Sequence, residues 1–177
     1  MIKNFLKKYI MGTSLEAPLR RFLSIQLRIR IINFIFQRIF RINGKVPWSV
    51  HYTSIVHGAK HLKVAKNSRK SFALSGHFYI QALNGVEIGE ETIFAPGVKI
   101  LSTNHDEATH ASTIEHPIKI GAHCWLGANA VILPGVELGN NVVVAAGAVV
   151  TKSFPSNVVL AGVPAKILRQ THLSSDD

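Results

Sequence analysis

The stretch Ile120–Thr151, IGAHCWLGANAVILPGVELGNNVVVAAGAVVT, decides the fold. An aliphatic residue returns at every sixth position in it: Ile120, Leu126, Ile132, Leu138, Val144 and Val150. One residue after each stand Gly121, Gly127, Leu133, Gly139, Ala145 and Thr151, and further along each unit come Cys124, Ala130, Val136, Val142 and Ala148. Small residues therefore recur where a bend would be tight. A period of six fits neither the 3.6 residues of a helical turn nor the alternation of a strand, and it persists too long for chance. Each unit reads as a short strand plus a turn. Three units make one triangular coil of about eighteen residues, the aliphatic residue pointing inward and stacking on its counterpart one coil along.

Working outward, Val64-Ala65 with Ser68 is a degenerate unit, and Ile88-Gly89 with Thr92 and Phe94-Ala95 with Val98 are clear ones. Between Ile100 and Ile120 the period stops. The stretch LSTNHDEATHASTIEHPIK is polar, holds three histidines, and cannot continue an inward column. It reads as a loop, 101–119, extruded from one coil, and loops on rigid scaffolds are where function concentrates. The expected organisation is a basic helical segment over 1–45, a coiled body over 46–155, and a closing segment with a polar tail over 156–177.

A chain of 177 residues is one domain by size, with no room for a second catalytic domain. Cys124 is the only cysteine, which excludes an intrachain disulfide framework and a CxxC metal site and makes a reducing, cytoplasmic setting the default. The start, MIKNFLKKYIMG, is basic then apolar, but it lacks a long apolar core and a small-residue cleavage site, so it is not read as a signal peptide.

Residues 1–45 hold ten Lys and Arg against Glu16 alone, whereas the remainder holds ten bases and nine acids. The charge is therefore assigned to the N-terminal segment rather than the repeat body. From Phe22 to Arg41 the pattern is helical, with Gln26, Arg30, Asn33, Gln37 and Arg41 on one face and Phe22, Ile25, Ile29, Ile32, Phe36 and Ile39 opposite. Arginines at mid-bilayer cost roughly 2.5–3.5 kcal/mol each, against about 0.3–0.6 gained per aliphatic or Phe residue, so the helix does not span a membrane. Two readings remain open. The helix lies in the interface of an anionic membrane through residues 1–41, at the inner face, or it packs its apolar face on the body or a neighbouring subunit. Nucleic acid is not expected, because no nucleic-acid motif is present and the aromatics sit on the apolar face.

WLGANAVILPGVELG, VVAAGAVVTKSFP and AGVPAKILR resemble the hexapeptide-repeat acetyltransferases nearly residue for residue, over roughly 47–170. VPWSVHYTS and FYIQALNGVEIGEETIFAPGVKILSTNHD are most similar to the members that acetylate sugars in surface-polysaccharide synthesis. The resemblance implies an all-β solenoid, a left-handed parallel β-helix with an N-terminal α-helical segment, assembled as a homotrimer with three sites at its subunit boundaries. It also implies transfer of acetyl from acetyl-CoA to a sugar or glycan hydroxyl, without a metal.

A sugar hydroxyl is too weak an acid to attack a thioester unaided, and histidine's pKa suits a base at neutral pH. The resemblance places that base at His105, in STNHD, with Asn104 or Asp106 as candidates to fix its tautomer. His77 and Asn84 are weak candidates to face the acceptor; His110 and His116 are read as spectators and His123 as a surface residue. For the cofactor, the resemblance assigns Trp125 and Ala128 to the groove wall, Ala146, Thr151 and Lys152 to its mid-section, and Lys166 and Arg169 to the phosphate end. Lys166 stands where the family often has Arg, which removes a bidentate grip.

Two other classes share features with this sequence. His105 and His110 form H-x4-H, a spacing that holds zinc in the γ-class carbonic anhydrases, but there the pair lies within the repeat and here both lie in the loop. A small-molecule acetyltransferase acting on a xenobiotic or serine is the other; 45 residues are too few for the helical N-terminal domain of the serine enzymes.

Overall fold

The computed structural model describes residues 25–104, 106, 108, 109, 111, 113 and 116–171. Helix α1 (Ile25–Phe34) runs into a π-helical turn over Ile35–Ile39. Strands follow as β1 (Ile55–His57), β2 (Leu62–Val64), β3 (Tyr79–Gln81), β4 (Val86–Ile88), β5 (Ile93–Phe94), β6 (Lys99–Leu101) and β7 (Ile118–Ile120). Helix α2 (Arg69–Leu74) interrupts them between β2 and β3. The series continues with β8 (Trp125–Leu126), β9 (Val131–Ile132), β10 (Glu137–Leu138), β11 (Val143–Val144), β12 (Val149–Val150), β13 (Val158–Ala161) and β14 (Lys166–Gln170).

These strands form three sheets: sheet I in the order β1-β3-β6-β9-β12, sheet II in the order β2-β4-β7-β10, and sheet III in the order β5-β8-β11-β13-β14. All pairs are parallel except β13–β14, where the chain turns back antiparallel. From β4 to β12 successive strands visit sheets II, III and I in turn, so the chain coils with three corners per coil. In the regular part, paired residues are eighteen apart, as Trp125 with Val143 and Lys119 with Glu137. Across the loop they are thirty-two apart, as Lys99 with Val131, so the extruded segment adds fourteen residues without disturbing the register on either side. Across α2 they are twenty-four apart, as Leu62 with Val86. That six-residue insertion was not legible from the degenerate unit at Val64.

Every residue of the six-residue beat is buried, from Ile120 to Val150, and so are Cys124, Ala130, Val136, Val142 and Ala148. Side chains alternate inward and outward along each short strand, and the next inward position falls at the bend.

Backbones of successive coils approach closely at the corner joining sheets II and III. A Cβ on Gly89 would meet the Gly121 carbonyl carbon at 2.6 Å, and one on Gly121 would meet the Gly139 oxygen at 2.5 Å. Beside this glycine column, Ser68 Oγ donates to the Gly89 carbonyl (2.6 Å), Thr92 Oγ1 to the Gly121 carbonyl (2.7 Å) and Cys124 Sγ to the Gly139 carbonyl (3.2 Å). Burial pushes the Cys124 thiol pKa up, which keeps it protonated and unreactive.

The N-terminal helix reverses an expectation. The residues it buries against the body, Asn33 and Gln37, come from its polar face, while from the apolar face Phe36 reaches Tyr52 with ring centres 5.1 Å apart. Asn33 Nδ2 donates to the Ala73 carbonyl (2.9 Å), and the Tyr52 amide donates to Asn33 Oδ1 (3.0 Å). Gln37 Nε2 donates to the Val46 and Trp48 carbonyls (2.9 and 2.8 Å), and the Val50 amide donates to Gln37 Oε1 (3.1 Å). The reason is that residues 46–52 join no sheet, so their buried backbone groups need side-chain partners. Phe22 and the rest of residues 1–24 lie outside the described residues.

Replacing Gly121 by alanine is expected to destabilise the protein by roughly 1–3 kcal/mol, because the new methyl meets backbone rather than a side chain that can move. Urea denaturation of Gly121→Ala checks this; a midpoint equal to that of the parent would contradict it.

Candidate active site

The extruded segment leaves the corner joining sheets I and II, after β6 and before β7. Its base is tied down by Asn84, in the turn between β3 and β4 at the same corner one coil earlier. Asn84 Nδ2 donates to the carbonyls of Ser102 (3.0 Å) and Thr113 (2.9 Å), and the Asn84 amide donates to Ser102 Oγ (3.1 Å). Asn84 thus clips both limbs of the loop together. Within the loop, the Thr113 amide donates to the Asn104 carbonyl and the Asp106 amide to the Ala111 carbonyl, both at 2.9 Å.

His105 and His110 lie outside the described residues; His105 falls between Asn104 and Asp106, both exposed. Asp106 Oδ1 accepts from the amides of Thr109 (2.8 Å) and Ala108 (3.1 Å) and from Thr109 Oγ1 (2.8 Å). Those bonds, the Thr109 amide first, hold the Asp106 carboxyl pKa below its ordinary value, and they commit that oxygen to shaping the turn. The sequence reading missed Ser102 and Thr103, both buried at the loop's root, because nothing in their spacing sets them apart from other loop hydroxyls.

The other candidate residues fall into two groups. Thr151 and Lys152, both exposed, share the corner of the loop and Asn84, with Lys152 Nζ 5.7 Å from the Phe154 ring. Ala128 and Ala146 share the next corner, between sheets III and I, one coil apart. They are joined through the Gly147 amide, which donates to the Ala128 carbonyl at 2.8 Å. His77 occupies an earlier coil of that corner in a left-handed turn (φ 59°), its amide donating to Thr53 Oγ1 (2.9 Å). The same hydroxyl lies 2.9 Å from His51 Nδ1, and burial, then the charge of His77, lowers the His51 pKa.

On the adjoining sheet III, register aligns Trp125, Val143, Val159 and Arg169 in one row across the strands. Trp125 is 53% exposed at one end of that row and Arg169 is exposed at the other, with Lys166 on the same strand. The structure therefore aligns Trp125 with Arg169 and puts the two alanines beside them. It sets them apart from the loop, Thr151 and Lys152 by the width of sheet I, which six extended residues limit to about 20 Å.

A groove of about 720 Å³ lies elsewhere, along sheet II. Its charges alternate down the strands as Lys63, Glu87, Lys119 and Glu137, with two 2.7 Å ion pairs, Lys63–Glu87 and Lys119–Glu137. Exposed pairs of this kind each contribute about 0.2–1 kcal/mol and leave no unmatched charge for a ligand. Among the described residues no three His, Cys, Asp or Glu side chains cluster as a metal site.

Residues 117–152 match the family model described as the hexapeptide repeat of succinyl-transferase. Over these residues the coil is built of hexapeptide repeats. WbbJ of Escherichia coli strain K12, provisionally named a lipopolysaccharide biosynthesis O-acetyl transferase, is 36% identical over 110 residues, 55% of this chain and 56% of its own length. The galactoside O-acetyltransferase of the same strain is 40% identical over 89 residues, 48% of this chain and 44% of its own. The chain spans about half the length of the curated relatives it matches.

Among solved structures, a galactoside acetyltransferase in complex with coenzyme A matches with a TM-score of 0.64 at 24% identity, over 97% of this chain and 92% of that one. The hexapeptide-repeat acetyltransferase VCA0836 from Vibrio cholerae O1 biovar eltor, complexed with acetyl coenzyme A, matches at 0.61 and 22% identity, over 97% and 99%. At these identities the likeness shows the hexapeptide-repeat fold.

If Asn84 is the clip that closes the hexapeptide coil's loop, Asn84→Ala strands the Ser102 and Thr113 carbonyls and leaves the backbone bond to Ser102 Oγ in place. Amide exchange at Thr113 is expected to quicken about tenfold, the worth of one hydrogen bond. A role confined to substrate contact would leave that exchange unchanged.

Proposed function

We propose that the chain is an acetyl-CoA-dependent O-acetyltransferase acting on a sugar hydroxyl in surface-polysaccharide synthesis. The relatives named for O-acetyl transfer to galactosides and in lipopolysaccharide biosynthesis support this reading. So does the likeness to structures solved with coenzyme A.

The observation that carries it is the division of the candidate residues between two corners. The loop that bears His105 leaves one corner, and Trp125, Ala128 and Ala146 lie at or beside the next. A protomer alone separates them by sheet I; neighbours packed around a threefold axis set the loop of one against the alanine corner of another. In this reading the assembly is a homotrimer of left-handed coils with a cleft at each boundary.

In that cleft one imidazole nitrogen of His105 takes the acceptor hydroxyl's proton as its oxygen bonds to the acetyl carbon. The carbon–sulfur bond breaks, and the imidazolium returns the proton to the leaving thiolate. A free hydroxyl and a thioester become an ester and a thiol, directly and with no covalent enzyme intermediate. Ala128 and Ala146 leave room for the pantetheine arm beside Trp125, Thr151 and Lys152 line its mid-section, and Lys166 and Arg169 face the phosphates. The same reading puts the reaction at the inner face of a membrane, with the N-terminal segment as a peripheral contact; no helix among the described residues is long and apolar enough to cross one.

His105→Ala is expected to lower kcat by about 10²- to 10⁴-fold with acetyl-CoA affinity intact, the ordinary worth of a general base. His110→Ala is expected to change little. Release of free CoA with a panel of sugar acceptors measures both, and equal losses in the two variants would point to a shared metal site instead.

A further inference from the structure

From residue 17 to residue 86 the sequence contains twelve Lys and Arg and no Asp or Glu. Dividing the charge at residue 45 hides this, because Lys66, Arg69 and Lys70 of the first coil come together in space with Arg30 of α1 and Arg38 of the turn after it. A cleft of about 420 Å³ opens where α1 crosses that coil, and Arg30, Arg38, Lys66, Arg69 and Lys70 line it beside Phe34 and Trp48. A smaller cleft next to it shares Arg38 and adds Arg41 and Lys45. No acidic side chain lines either, and among the described residues none of these bases forms an ion pair. Arg69 is held in place, its Nε and Nη2 both donating to the Val64 carbonyl at 3.2 Å and its guanidinium 4.6 Å from the Trp48 ring centre. Five like charges around one concavity, without a counter-charge of their own, raise a field that favours an anion.

The same helix carries an apolar band outward, because its polar face is spent on the body. Ile31, Phe34, Ile35, Ile39, Phe40 and Ile42 are all exposed, Phe34 to 61% and Ile39 to 67%. Phe34 belongs to both features: it is a wall of the basic cleft and a member of the band. An exposed apolar band of this size marks an interaction surface, and its occupant must accept aliphatic side chains beside clustered cations. A second copy docking by the same surface would bring unbalanced positive charge against its like. A nucleic acid would satisfy the cations and leave the isoleucines in water. A bilayer of anionic lipids satisfies both, with the apolar band at the acyl boundary and the bases at phosphate depth.

We propose that this end of the molecule docks on an anionic lipid bilayer, with lipid headgroup phosphates in the cleft of Lys66, Arg69 and Lys70 and the Ile31–Ile42 band in the interface. The site joins the helix to the first coil of the body. It rests on the peripheral-contact reading and not on the acetyl transfer, since its readout is binding.

The test is co-sedimentation of the full chain with phosphatidylcholine vesicles, with and without about 30 mol% phosphatidylglycerol. Binding is expected to the anionic vesicles only and to weaken as salt screens the bases. The double variant Lys66→Glu, Lys70→Glu, at exposed positions, is expected to lower partition about tenfold or more, and Phe34→Ser, Phe40→Ser likewise, with unchanged melting temperatures. No binding to anionic vesicles, or full binding by the Lys66/Lys70 variant, overturns the proposal. Dissociation of an assembly in the Phe variant with vesicle binding intact would make the band an inter-copy interface, which also overturns it. Inorganic pyrophosphate by calorimetry is the arm for a soluble ligand; micromolar binding there, with indifference to vesicles, would assign the cleft to a free phosphate. Retained vesicle binding in His105→Ala, with activity lost, keeps this site's fate separate from that of the catalytic reading.

Discussion

Each coil hydrogen-bonds to the next at a fixed register, and at the corner between sheets II and III that register leaves no space for a side chain between the backbones. Gly89, Gly121 and Gly139 occupy the contact, while Ser68, Thr92 and Cys124 turn their hydroxyl or thiol hydrogens onto the carbonyls beside it. Bringing backbones this close makes one continuous core out of strands only two or three residues long. It also makes the body rigid in the one dimension a long ligand would follow, along the coil axis. Insertions are tolerated only where they leave the stack and return to it, as the loop after β6 does with fourteen residues and the α2 excursion with six.

That constraint is also why so much of the fold was legible. A side chain that must point inward at every sixth position leaves a trace no helix or ordinary strand imitates, and each residue of the trace from Ile120 to Val150 is buried. The break in the period marked the loop for the same reason. What the sequence could not reveal depends on backbone groups that no sheet satisfies. Asn33 and Gln37 look like the wet side of an amphipathic helix, and by composition they are. Yet residues 46–52 form no ladder, and two amides that each both donate and accept are better partners for them than any aliphatic face. The pattern of a helix gives its two faces but not which of them the body needs.

The site was legible in a different way. Residue types and motif positions pointed to His105 and to a row of groove residues, but the period ends before β14 turns back antiparallel, so it did not place Arg169 relative to Trp125. Register supplied that: Trp125 and Arg169 share a row across sheet III, whereas Thr151, Lys152 and the Asn84-clipped loop share a corner one sheet away. The proposed mechanism brings both groups within reach of one acetyl group across a boundary between protomers, and rigid coils are suited to holding two such corners at a fixed distance.

The most direct measurement of that claim is complementation between two inactive chains. His105→Ala removes the base from the loop corner, and Ala146→Trp fills the groove at the alanine corner, an exposed position where the larger side chain does not disturb the core. Separately tagged and co-purified as mixed assemblies, they are expected to recover about a third of the parent's acetyl transfer. In a threefold ring that holds both chains, one boundary in three sets an intact loop against an intact groove. Mixed assemblies no more active than either variant alone would mean that both corners act within one protomer, and the composite site would be wrong.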